Sequence, residues 1–136
     1  MKIQILNPIY DQPIEGFVQL EDLRKLDDVC CDSEAELILA PHVLSDHPLE
    51  SYGVILSQLL NKVRLGGELI FGGIEMDALA DHISEHSMSI NDASTIIQRC
   101  QSVARVNDVA NSAQPVMNNL TWAVRGVTYE FRFKRG

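Results

Sequence analysis

Residues 35–76 read AELILAPHVLSDHPLESYGVILSQLLNKVRLGGELIFGGIEM. The run at 36–40, ELILA, is short, apolar and free of breakers, which predicts a strand buried on both faces. Pro48 suits the first position of a following helix, where its missing N–H is not needed. Ile55, Leu56, Leu59, Leu60 and Val63 then recur with the 3.6-residue period, predicting a helix over 49–64. Gly66-Gly67 is expected to stop that helix, and 68–73 reads as a second buried strand. A strand, a helix and a strand in this order imply parallel strands joined by a right-handed crossover. Gly72-Gly73 marks a place where a ligand or another backbone comes close.

The rest of the chain builds outward from this unit. Residues 2–6 form a short apolar run and fit a first strand. Residues 7–15, NPIYDQPIE, carry two prolines and read as a loop. A second short strand fits 17–20, and 21–33 is charged and irregular apart from a helical turn at 22–26. A helix is expected over 77–86. Ser89 with Asp92 resembles a capping box and opens a helix whose face carries Ala93, Ile96, Ile97, Cys100, Val103 and Ala104. Residues 107–119 are polar and read as a loop. Two strands, 120–124 and 127–134, meet at Arg125-Gly126. The last alternates strictly, with Val127, Tyr129, Phe131 and Phe133 on one side. The expected fold is one α/β domain over 1–136. Its open sheet is mostly parallel, with 2–6 beside 36–40, 68–73 next, and an antiparallel hairpin at the edge.

Composition narrows the partners. The net charge of −8 repels a nucleic-acid backbone, so no nucleic acid is expected. Arg125, Arg132, Lys134 and Arg135 gather near the C-terminus and read as a solvated strand face. No apolar run approaches the roughly 20 residues that span a bilayer, so no membrane partner is expected. The N-terminus reads as a strand, not a signal peptide. Cys30, Cys31 and Cys100 form no disulfide framework, and reduced thiols in a cytoplasmic protein are the simplest reading.

Several stretches match a known pattern. Glu36-Leu37-Ile38-Leu39-Ala40-Pro41-His42-Val43-Leu44-Ser45-Asp46-His47 resembles the fourth strand, and the loop after it, of the class I S-adenosylmethionine-dependent methyltransferases. Val63-Arg64-Leu65-Gly66-Gly67-Glu68-Leu69-Ile70-Phe71 resembles their Leu-Lys-Pro-Gly-Gly turn and next strand, with Leu65 in place of the proline. The closing hairpin resembles their last two strands. Together these segments cover about two-thirds of the chain. Upstream the pattern departs. The family's first strand ends in a glycine-rich loop, whereas here 2–6 runs into Asn7-Pro8-Ile9-Tyr10, with no glycine before Gly16. The helix between the first two strands is absent. The resemblance therefore implies a Rossmann-like methyltransferase fold with a shortened N-terminal half.

The resemblance also implies a site. Asn7, Pro8 and Ile9 would line the methionine end of S-adenosylmethionine, Glu21 would accept the ribose hydroxyls, and Ala40 would lie beside the cofactor. His42 and Asp46 fall where the family places substrate-facing residues, and His42 is a candidate general base. His82 and His86 stand four apart on a helix, but the charged run around them reads as a solvated face, so no metal is expected. Cys30 and Cys31 read as partly buried small residues. The implied activity is methyl transfer to a small-molecule or protein acceptor. The alternative is a non-catalytic binding or assembly module on the same fold. Loss of a covering helix predicts an exposed sheet face and hence a homodimer.

Overall fold

The computed structural model describes residues 1–136. Six strands form one sheet: β1 (Lys2–Ile5), β2 (Val18–Leu20), β3 (Ala35–Ala40), β4 (Val63–Ile74), β5 (Thr121–Arg125) and β6 (Thr128–Lys134). Their order is β2-β1-β3-β4-β6-β5. The first four run parallel, and β6 lies antiparallel to both β4 and β5. The predicted arrangement therefore holds, with β1 beside β3, β4 next, and the hairpin at the edge.

One face of the sheet carries the core. Ile3, Ile5, Ile38, Ala40, Leu69, Phe71, Phe131 and Phe133 all point to it, because the strand register puts Ile3 beside Ile38, Ile38 beside Leu69, and Phe71 beside Phe131. The Phe71 and Phe131 rings stack with centroids 5.0 Å apart. Helices α1 (Leu26–Val29), α2 (Tyr52–Lys62) and α5 (Val106–Ala113) cover this face with Leu26, Ile55, Leu59, Val109 and Ala113. Lys62 is buried at the end of α2, and its ammonium meets Asp27 at 2.7 Å and Asp32 at 2.9 Å. Helices α3 (Met76–Ser84) and α4 (Ile90–Arg99) lie between β4 and α5 in sequence. No helix is long and apolar enough to cross a membrane.

The opposite face has no helix at β1, but it is not bare. Gln4 is buried there, its amide donating to the Gln12 carbonyl at 2.9 Å and accepting from the Ile14 N–H at 2.9 Å. The loop after β1 thus lies against the face that the missing helix would cover. Residues 21–33 go to the other side, where Leu23, Leu26 and Cys30 join the core.

Three local expectations are corrected. The Gly-Gly pair does not stop α2: the helix ends at Lys62, and Val63 already pairs with Ala35. The pair instead closes a bulge, since Ala35↔Val63 is followed by Leu37↔Glu68. Gly66 takes the left-handed conformation at φ 79°, and a Cβ on Gly67 would sit 2.9 Å from the Ala35 carbonyl oxygen. Helix α4 ends at Arg99, so Val103 and Ala104 do not share its face. Ala104 bridges to Glu75 like a short strand, accepting from the Met76 N–H and donating to the Ile74 carbonyl. Residues 107–119 are not all loop either. Val106, Val109, Ala110 and Ala113 keep a helical period beneath Asn107, Asp108, Asn111 and Ser112, and burial of that stripe outweighs the weak propensity of the polar residues.

Candidate functional site

Because β1, β2 and β3 are parallel, their C-terminal ends meet at one rim, the usual place for a binding crevice in an open α/β sheet. A cavity of 310 Å³ lies there, near the lower end of the ~300–1,000 Å³ common for small-ligand sites. Its wall includes Asn7, Pro8 and Ile9 after β1, Glu21 and Asp22 after β2, and Asp46 and His47 from the loop after β3.

The loop after β1 is tied to itself. The Asn7 N–H donates to the Asp11 carboxylate at 2.9 Å, and the Ile9 N–H donates to the Asn7 side-chain oxygen at 3.0 Å. The N–H groups of Tyr10 and Asp11 donate to the Asn7 carbonyl at 3.2 and 2.8 Å. Pro8 has no N–H. Every backbone donor between 7 and 11 is therefore used within the loop, and none is left to receive an anionic ligand. A glycine-rich loop would present such donors. The Asn7 side-chain amide reaches across to the Asp46 carboxylate at 2.9 Å, joining the ends of β1 and β3.

The carboxylates around the cavity differ in how far they are committed. Asp22 caps the turn after β2 by accepting from the Arg24 N–H at 3.0 Å, and it pairs with the Arg24 guanidinium at 2.9 Å. Glu21 is exposed and makes no such bond. Asp46 is half-buried; loss of water pushes its carboxyl above the ordinary carboxylate range, against the opposing pull of the Asn7 amide, His42 and His47. An acidic wall of this kind suits a cationic ligand with hydroxyls to donate.

The residues expected at the site divide. Asn7, Pro8, Ile9, Glu21 and Asp46 come together around the cavity. Ala40 does not reach the wall. It faces the core and is fully buried, because strand alternation turns it to the same side as Ile38. His42 is also off the wall. Its ring lies 5.0 Å from that of Tyr10, and its Nε2 is 3.4 Å from the Asp11 carboxylate. It braces the acid that holds the Asn7 N–H. His47 was missed: its Nδ1 bonds the Val43 carbonyl at 2.7 Å, and it stands on the cavity wall. The visible signal was its place one residue after Asp46. His82 bonds Ser87 at 2.8 Å, and His86 lies past the end of α3 in a left-handed conformation. Cys30 is buried and Cys31 is exposed, which corrects the expectation that both are partly buried.

A second, apolar hollow opens beyond the same loop. Pro48 and Leu49 follow the cavity residue His47 and line a groove with Met76, Leu79, Ile97 and Val103, of volume 540 Å³. An adjoining hollow of 360 Å³ continues it past Tyr52 and Val109. The Tyr52 hydroxyl meets Ser102 Oγ at 2.6 Å at this wall, and Ser102 donates to the His47 carbonyl at 2.7 Å. Glycines 72 and 73 do not open toward either hollow. A Cβ on Gly72 would lie 2.8 Å from the Pro41 carbonyl oxygen, and one on Gly73 would lie 2.6 Å from Ser45 Oγ. The close approach there is by the protein itself.

No protein-family model matches this chain, and no curated protein does. Among solved structures, the chain is similar to a SAM-dependent methyltransferase from Archaeoglobus fulgidus. The TM-score is 0.63 at 8% sequence identity, over 88% of this chain and 68% of that one. What the two share is the fold, an α/β open sheet of the Rossmann-like methyltransferase type.

Proposed function

We infer that the chain is a methyltransferase-like protein that binds S-adenosylmethionine or its demethylated product in the rim cavity and offers the adjoining groove to a small acceptor with an apolar body. The single observation that carries this is the convergence of Asn7, Pro8, Ile9, Glu21 and Asp46 on one cavity at the C-terminal ends of parallel strands. Glu21, free of other bonds, suits a ribose diol, and Asp46 suits the cationic end of the ligand. When bound, the cofactor supplies a methyl group already activated on sulfonium. The remaining task is to hold donor and acceptor in line, with water excluded. Asp46, with its carboxyl held up by burial, is one group on this wall able to take a proton from an acceptor.

The second reading is a non-catalytic binding module. It is favoured by the self-bonded loop after β1, which leaves no backbone N–H for the ligand's carboxylate. Titration calorimetry with S-adenosylmethionine and S-adenosylhomocysteine separates the readings. Binding of either that weakens roughly ten- to a hundredfold in Glu21→Ala, with the fold unchanged, supports the cofactor site. No heat with either at millimolar concentration removes it and leaves the module. Binding that Glu21→Ala does not alter moves the ribose site elsewhere.

A further inference from the structure

The two edges of the sheet are unlike. At one edge β2 has only three residues, too few to template another strand. At the other, β5 is Thr121-Trp122-Ala123-Val124-Arg125, exposed at every position. It has no proline, lysine or bulge, the usual devices that blunt an edge. Its apolar side chains, Trp122 and Val124, are 38% and 42% exposed and extend the row of Phe131 and Tyr129.

The register fixes which backbone groups of β5 are free. Arg135 and Val127, at the odd positions flanking β6, bond toward β4: the Arg135 N–H reaches Gly67, and the Val127 carbonyl receives the Glu75 N–H. The even positions of β6 therefore face β5, and these are opposite Thr121, Ala123 and Arg125. The two-residue turn agrees. Gly126 at φ 59° is the first central residue of the hairpin, so Arg125 and Thr128 flank it as a bonded pair. The N–H and C=O groups of Trp122 and Val124 accordingly point outward, away from the molecule.

We propose that β5 is the pairing edge of a two-fold homodimer, in which it lies antiparallel to the β5 of a second copy with Ala123 on the axis. That register puts Trp122 opposite the partner's Val124 and the reverse. Each outward N–H then meets an outward C=O, and all of them are satisfied at once. Trp122 packs beside a Val on the same face, a favourable aromatic and β-branched pair. Ala123 faces its own copy, where a small side chain suits the close approach on the axis. Arg125 falls opposite Thr121, so no charge meets its like across the pair. The arrangement is isologous and closes on itself. It replaces the bare sheet face as the reason for a dimer, since the loop after β1 lies on that face.

The test is sedimentation and light scattering of the full chain from micromolar to millimolar concentration, with cross-linking in a Cys31→Ser background. The wild type should dimerise with concentration. Val124→Pro removes only an outward N–H, and Val124→Lys places a charge on the edge; each should raise the dissociation constant roughly tenfold or more with an unchanged circular-dichroism spectrum. Ala123→Cys should form a disulfide dimer in air, because an axial non-bonded pair has a Cα separation within bridging range. Thr121→Cys should not, since its two copies would lie roughly 13 Å apart along the strands. If the proline variant fails to fold, the lysine variant and the cross-links decide. A wild type that stays monomeric at millimolar concentration overturns the proposal. So does a dimer that ignores both edge variants and forms no Ala123→Cys bridge.

Discussion

Two carboxylates follow parallel strands at the same rim of the sheet, Glu75 after β4 and Glu21 after β2. Glu75 is 4% exposed, and its oxygens accept from the N–H groups of Asp77 and Ala78 at 2.8 and 3.0 Å and of Val106 at 2.6 Å. It caps α3 and α5 together, the positive ends of both helices meeting one negative charge. Glu21 is exposed and has no bond to give up. The second half of the chain thus uses its rim acid to hold helices. The first half, where a helix is missing, leaves its rim acid open. An acid whose acceptors are saturated by backbone is structural, and one left free beside a cavity is available to a ligand.

The largest effect should come from cutting the saturated acid. Glu75→Ala removes the N-cap of α3 and leaves the half-buried Val106 N–H without its partner, a loss of about 3 kcal/mol in urea unfolding. Glu75→Gln should lose less, because one oxygen still accepts while the amide turns a donor toward a donor. A cost below about 1 kcal/mol for Glu75→Ala would dissolve the contrast. Glu21→Ala should leave unfolding unchanged to within about 0.5 kcal/mol, as exposed sites without partners do, and should show its effect only in the cofactor titration.

A smaller effect of opposite sign is expected inside the core. The Tyr129 hydroxyl is buried and makes no hydrogen bond of full geometry, its nearest partner being the Tyr52 hydroxyl; burial first, and Tyr52 after it, push its pKa up. Tyr129→Phe removes a buried polar atom without a well-aligned partner while keeping the ring against Phe131, so stability should rise by about 1 kcal/mol. Destabilisation of that size would mean that the hydroxyl is held by a partner after all.

Strands and their order were legible because parallel strands need unbroken apolar runs, and the runs at 36–40 and 68–73 are such runs. The hairpin was legible because its last strand alternates without error. Helix α5 was not, since Asn107, Asp108, Asn111 and Ser112 prefer turns in isolation, and only tertiary burial of Val109 and Ala113 favours the helix. The Gly-Gly pair was misread because a helix stop and a strand bulge ask the same of a glycine. At the site, position along the sheet rim was enough to gather Asn7, Glu21 and Asp46. Direction was not: Ala40 is one residue out of phase with the cavity, and His42 is drawn aside by Tyr10 and Asp11. That the loop after β1 binds its own amides depends on Asp11 and Asn7 closing a turn, which spacing alone does not reveal.

The finest test lies between the two extremes, at Asp46, which is half-buried and bonded by one amide. Burial raises its folded-state pKa above that of the unfolded chain. The folded protein therefore binds the proton more readily, and the associated stability is complete below the unfolded pKa and is lost as pH rises through the folded one. At neutral pH the charged carboxylate is thus a small net cost. Asp46→Asn keeps an oxygen to accept from Asn7 and removes the charge. The variant should match the wild type in acid and exceed it at neutral pH, by a fraction of a kcal/mol because solvent screens a half-exposed group. Urea unfolding of both proteins across the acid range measures the difference. If the gap widens as pH falls instead, the Asn7 bond and the neighbouring histidines outweigh desolvation, and Asp46 belongs with Glu75 as a structural acid. If the gap follows the expected course and Asp46→Asn also binds S-adenosylmethionine more weakly, the charge is kept at a cost to stability for the sake of a cation.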